Sequence, residues 1–513
     1  MTTHFFKIAD DVLLEILEVL EYQPLLACLA TCRRLRRIIS ESTSLQYKLE
    51  LAACGMLDGP RNNQALDLRE RLRRLRLYDA AWRQPGWAEP FSLPHLVGRF
   101  TSIDVTGALV FQASNVSARG PLLQQIPSSL RGVQEWHKIL PRDTIVELID
   151  PSQDLLAFMQ NISTSDVRLL CCQISSLSTG EAHRFAAPHP YALAPSRMLL
   201  NICNDYILET LCDTRLRWEH IVWNWKTGVV EMWPGYRGYQ PFHFLDDTHI
   251  LVVESNDYGI VPYLRVFPFR DTGTGSKSAA NQLTAPSYCF ILPHCLRESR
   301  QFVANIAPRC SWGGLDAGYF YSDPDDRLLS LHVSFATPRT RRKAVCLDIP
   351  LQTLRAYMAM HPATQHTTSI PWSEWGPHGT RVTSPSLSES VFSENNAMNG
   401  MRRITVNNPL NSRITMAVLD YHPRRVARAL ARQRHGAGDG GAVVLVCEEE
   451  ACSGFDELRT SLPCIAKDVR IPEELKDLSV TDMMSRVYLC EDGVRFLDHD
   501  GEGLITKSWM FTF

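Results

Sequence analysis

The hydrophobic period of this chain changes once, near Pro90, and that change constrains the fold more than any single motif. Before it, apolar residues return every three or four positions. Ile8, Val12, Leu13, Ile16, Leu17 and Leu20 share one stripe of a helix expected from about Ala9 to Leu20. Asp10 and Asp11 stand in its opening turn, where negative charge suits the helix dipole. Pro24 can open a second helix, because a first-turn residue needs no amide hydrogen; its inner face carries Leu25, Cys28, Leu29, Cys32 and Leu35. A third helix is expected from about Ser44 to Cys54, stopped by Gly55. After the Gly59-Pro60 turn, a further helix sets Leu68, Leu72, Leu75 and Trp82 on one face among arginines and is expected to couple two domains.

Beyond Pro90 the signal is of short apolar or alternating runs bounded by Gly, Pro, Asp and Asn, which is a large all-β region. It carries a weak repeat. Thr179-Gly180, Thr227-Gly228 and Thr272-Gly273 lie 48 and 45 residues apart, each preceded by an apolar run led by Asp154, Asp205 or Asp247. A period of roughly 40 to 50 residues is that of a four-stranded propeller blade. A β-sandwich would share the short strands but not the repeat. Six or seven blades are expected, since stretches such as Gly273 to Ser287, His361 to Ser390 and Arg432 to Gly441 read as insertions. In the clearest unit, Trp223 and Trp225 fall on one strand face and are expected to be buried, with Thr227-Gly228 at an exposed hairpin. The fold class is therefore α+β multidomain: a small all-α unit over residues 1–51, a helical linker over 52–90, and an all-β propeller over 91–513.

A net charge of -3 provides no global field for nucleic acid or an anionic membrane. No stretch reaches the ~18 apolar residues that cross a bilayer, and Met1 to Asp11 lacks the pattern of a secretory signal. The 15 cysteines are odd in number and scattered through apolar segments, as reduced thiols in a cytoplasmic or nuclear protein would be. Cys28 and Cys32 lie one helical turn apart without the further ligands a zinc site needs, so no metal and no cofactor is expected. Gly273 to Ser278 lacks the spacing of a phosphate loop, and neither HExxH nor GxSxG occurs, so the chain is not expected to be an enzyme. Basic clusters at Arg339 to Lys343 and at Arg424, Arg425, Arg428, Arg432 and Arg434 read as solvated surface, with acidic targets as the alternative. Trp372, Trp375 and His378 stand in an expected loop, as packed tryptophans or as a binding patch.

The ordered segments Ile8 to Leu17, Leu25-Leu26, Cys32-Arg33-Arg34-Leu35 and Ser44-Leu45-Gln46-Tyr47 resemble an F-box, with Ile8-Ala9 replacing the family's usual Leu-Pro and Pro24 replacing its Asp. The whole chain resembles fungal F-box proteins with a divergent WD-repeat-like C-terminal region, on Ala52 to Pro60, Tyr78 to Trp82, Val222 to Gly228 and Asp420 to Ala427. That resemblance implies a substrate-recruiting subunit of a Skp-cullin-F-box ubiquitin ligase. It implies binding of the Skp adaptor, and through it cullin, by residues among Ile8, Val12, Leu13, Ile16, Leu17, Leu20, Leu25, Leu29 and Leu35, with an unidentified protein substrate on the propeller. A non-ligase F-box scaffold and a propeller hydrolase are the alternatives.

Overall fold

Four short helices open the chain: α1 (Asp10–Val19), α2 (Tyr22–Thr31), α3 (Arg33–Glu41) and α4 (Thr43–Cys54). They belong to a computed structural model that describes residues 8–59, 66–83, 91–92, 100–106, 109–114, 122–140, 144–163, 168–188, 197–212, 218–232, 242–254, 262–270, 287–307, 318–335, 343–362, 366–383, 398–407, 415–434, 444–446, 450–451, 459–469, 487–499 and 505–512. The sequence reading runs one helix from Pro24 through Leu35; the structure breaks it at Cys32, whose backbone is extended (φ -152, ψ 161). The break turns Leu35, Ile38 and Ile39 back onto Leu13, Leu17 and Leu25, closing a small core that one straight helix could not close. Arg34 and Arg37 of α3 reach Asp10 at 2.6 and 3.0 Å. The hydroxyl of Ser42 caps α4, and Gly55, at φ +64, ends it in the left-handed conformation.

Helix α5 (Leu68–Arg83) buries Leu72, Leu75, Tyr78 and Trp82 in one cluster with Tyr47 and Leu51 of α4 and with Phe320, Ile404, Val418, Val487 and Leu489 from the β region. Between α4 and α5, Met56–Asp58 forms a strand paired with Phe320–Ser322. Cys54, Met56, Leu72, Leu75, Tyr78 and Trp82, from the expected linker, thus share a core with residues on both sides of it.

Among the described residues the β region consists mainly of seven antiparallel sheets in chain order. Sheet I runs from Phe100–Thr106 to Trp136–Ile139, sheet II from Thr144–Asp150 to Arg168–Ser176, sheet III from Arg197–Cys203 to Val230–Met232, and sheet IV from Phe242–Phe244 to Tyr288–Ile291. Thr368–Ile370 adds a parallel strand to the edge of sheet IV. Sheet V joins Ser299–Ile306, Leu328–Phe335, Lys343–Pro350 and Arg381–Thr383; sheet VI begins at Met398–Asn399 and includes Cys464–Val469. Sheet VII contains Val487–Cys490, Gly493–His499 and Ile505–Thr512, and its outer strand is Phe91–Ser92, from the far end of the β region. Neighbouring sheets touch, sheets IV and V through one core cluster and sheets V and VI through another, and Phe100–Thr106 of sheet I touches Val487–Cys490 of sheet VII. The region is not all-β: α6 (Leu351–Met360), α7 (Trp372–Gly379) and α8 (Pro423–Arg434) are inserted between strands.

The repeat has a structural basis. Gly180 and Gly228 lie at φ +80 and +72 in equivalent turns, donating to Ser176 O (2.7 Å) and Asn224 O (2.8 Å). The leading aspartates face those turns: Asp154 O accepts from Leu177 N (2.8 Å) and Asp205 O from Trp225 N (3.0 Å). The Asp154 carboxylate also accepts from Ser178 N, and Asp205 pairs with Lys226 at 2.6 Å. Thr272-Gly273 lies outside the described residues. Sheet III has two buried faces, as alternation demands: Ile221 and Trp223 pack toward Leu155 and Ile174 of sheet II, and Val222 toward Phe242 and Val252 of sheet IV.

Candidate functional site

The four-helix unit divides the nine residues singled out in the sequence between two environments. Leu13, Leu17, Leu25 and Leu35 fill its own core, while Ile8, Leu20 and Leu29 line the edge of that core, half-buried. Val12 and Ile16 point outward, 47% and 48% exposed, against 3% and 2% for Leu13 and Leu17. Val19, 79% exposed, extends that outward row, and Leu26 on α2 is exposed as well. Positions 12, 16 and 19 recur at helical spacing, so they form a continuous apolar row on α1 with nothing packed over it among the described residues. Val19 was not singled out in the sequence because its neighbours already satisfied the core pattern, and Leu26 entered only through the Leu25-Leu26 segment of the resemblance.

The unit is locked to the β region through α8. Arg428 meets Glu50 at 2.5 Å and Asp79 at 3.7 Å, Arg425 donates to Cys54 O (2.6 Å), and Arg424 donates to Ala52 O (3.1 Å) while lying over the Tyr22 ring. These arginines form a clamp, not the solvated face expected. Arg339, Arg341 and Arg342 lie outside the described residues. His422 is buried beneath the clamp, 3.0 Å from Asp326, and its ring occupies the space a Cβ on Gly55 would need. Burial lowers its pKa below the ordinary histidine value. Glu491 supports the other side: its carbonyl accepts from Tyr78 (2.6 Å), and its carboxylate meets Arg131 (2.8 Å) and Ser322 N (2.8 Å).

Glu50, Cys54 and Asp79 bring three ligand atoms within 4.8 Å of one another. Arg428 pairs with Glu50 and Arg83 pairs with Asp79 at 3.0 Å, so the two carboxylates are already balanced, and burial pushes the Cys54 thiol far above its ordinary pKa. The chemistry is that of an ion-pair junction. Elsewhere Cys346 Sγ lies 3.4 Å from His332 Nε2, but both are buried. Asp348 beside them accepts from Tyr421 (2.6 Å) and Arg403 (3.0 Å), and these bonds fasten sheet V to sheet VI.

Trp372, Trp375 and His378 lie on α7, a helix where a loop was expected. Trp375 is fully buried and donates to Ile291 O (3.2 Å). Trp372 is half-buried and lines an open groove of about 710 Å³ with His294, His378 and Arg459.

No protein-family model matches the chain, and no curated protein matches it. Among solved structures it is similar to the WD40 domain of SCAP from fission yeast, at 6% identity over 84% of this chain and 99% of that one, with a TM-score of 0.34. It is similar also to the N-terminal domain of Nup159, at 11% identity over 82% and 91% (TM-score 0.30), and to Drosophila Semaphorin 2a, at 9% identity over 82% and 74% (TM-score 0.32).

Proposed function

We propose that this chain is a substrate-recruiting F-box subunit of a Skp-cullin-F-box ubiquitin ligase, acting in the cytoplasm or nucleus without catalysis of its own. The observation that carries this reading is the exposed row Val12, Ile16 and Val19 on α1, beside a core that Leu13 and Leu17 already complete. A small helical unit that leaves such a row uncovered is suited to a helix-packing partner. The Skp adaptor is the partner implied by the F-box resemblance of this same segment.

The β region is read as a seven-bladed propeller that holds the protein substrate. Seven successive sheets, the two buried faces of sheet III, the contact between sheets I and VII, and the pairing of Phe91–Ser92 with Ile505–Thr512 support that reading. The arginine clamp of α8 then fixes the direction in which the adaptor-binding row faces relative to the propeller, which a ligase needs in order to position its substrate.

Co-expression with a Skp adaptor tests this. The full chain should capture the adaptor, and the Val12→Asp/Ile16→Asp variant should lose it while keeping the parent unfolding midpoint. Undiminished capture by that variant would remove the adaptor reading. Assembly with cullin and transfer of ubiquitin to a propeller-bound protein separates a ligase subunit from a scaffold.

A further inference from the structure

The groove beside α7 has a composition that selects its ligand. Leu292 and Pro293 line it as buried residues, Pro371, Trp372 and Pro377 add apolar surface, and the exposed Arg459 lines it as well. Trp372 is held in place: its ring lies across the backbone of Gly376, where any side chain would collide with it, and edge-on to Trp375 at 5.2 Å. The Trp372 Nε1 has no hydrogen-bond partner among the described residues. His378 is fixed by Ser461 Oγ at 2.8 Å. Among the described residues no carboxylate lines the groove, and Arg459 has no ion pair. The neighbouring Glu374 is engaged by His361 at 2.7 Å.

We propose that this groove binds an extended segment of a partner protein in which an Asp or Glu side chain lies beside an apolar residue or proline. The apolar residue packs on the Trp372 ring between the prolines, and the carboxylate meets Arg459. Among the described residues Arg459 is the groove's one permanent cation, so a singly charged carboxylate balances it, whereas a phosphate of about -1.5 to -2 leaves excess negative charge in a partly apolar site. The inference rests on the reading of the β region as the substrate-holding part and assigns the place where holding occurs.

The test is selection from a random nine-residue peptide library displayed on phage, using the full chain without any adaptor. Enriched peptides should carry Asp or Glu within two residues of an apolar side chain. Selection on Arg459→Glu, an exposed position, should enrich Lys or Arg instead, and Trp372→Leu should weaken the parent's selected peptides at least tenfold at an unchanged unfolding midpoint. No enrichment on the parent chain, or the same acidic peptides on Arg459→Glu, would overturn the proposal. So would more than tenfold tighter binding when phosphoserine replaces the acidic residue, because the site would then be a phosphate site. Adaptor capture is scored separately, so failure of one reading leaves the other's result intact.

Discussion

Arg428 on α8 holds the carboxylate of Glu50 on α4 at 2.5 Å, joining positions 378 residues apart. Glu50 is nearly buried and Arg428 about a third exposed, so the pair is only partly screened by water. Arg428→Ala should cost about 1 to 3 kcal/mol, most of it from leaving Glu50 without its partner. A double-mutant cycle with Glu50→Gln in urea unfolding should return a positive coupling energy; strictly additive effects would show that the contact holds nothing.

The same junction bears on truncation. A chain beginning at Pro90 would lack α1 to α5. It would lose the strand paired with Phe320–Ser322 and expose Phe320, Ile404, Val487 and Leu489, which α4 and α5 cover. That truncation should aggregate or be digested rapidly by proteases, whereas a chain lacking residues before Thr43 keeps both helices and should resist. Equal resistance of the two would refute a shared core.

Within the helical unit, inward and outward positions of α1 should differ sharply. Leu17→Ala opens a cavity among Leu13, Leu25 and Ile39 and should cost about 2 to 5 kcal/mol, while Ile16→Ala should change stability by less than about 0.5 kcal/mol. Thermal unfolding of the two variants side by side checks this.

What the sequence disclosed follows from which forces are local. Helix α1 and the turns at Gly180 and Gly228 were readable because period, charge and glycine act over a few residues. The break at Cys32 was not, since Leu25 to Leu35 keeps helical spacing through it and only the tertiary closure onto Leu13 demands the bend. The clamp arginines were misread for the same reason: a basic run looks solvated until its partners, Glu50 and the carbonyl of Cys54, are brought from hundreds of residues away. The α7 groove was half visible, as a Trp-rich segment, but Arg459 reaches it only through the fold.

Trp223 is buried at 1% exposure, packed between sheets II and III, and its Nε1 donates to the buried Glu209 at 2.9 Å. Trp223→Ala should cost about 3 to 5 kcal/mol through the cavity and the lost donor, and Thr227→Ser, at the exposed turn, should be nearly silent. Adaptor binding should survive both, since α1 lies in another cluster. Equal urea midpoints for Trp223→Ala and the parent chain would contradict the packing described.

Two buried histidines should make the protein acid-sensitive well above the range where carboxylates titrate. His220 is stacked on Phe242 with ring centroids 3.7 Å apart and is bonded to Thr210; burial, with His243 adding to it, lowers its pKa to about 3. Burial lowers His243 to about 4, with Arg327 acting in the same direction. An unfolded chain protonates histidine near pH 6.5, so between roughly 6.5 and 4 the unfolded state binds protons that the native state refuses. This contribution is therefore complete above about pH 6.5 and falls as pH drops, by about 1.4 kcal/mol per pH unit for each histidine. Asp246 and Asp420, lowered to about 2, lose their contributions only below about pH 4, and Asp323 and Asp492, raised by burial, act with the opposite sign. Urea midpoints should drop steeply from pH 7 to pH 5, and His220→Gln should reduce that slope. A midpoint independent of pH across this interval would mean that the two rings are not held neutral by burial.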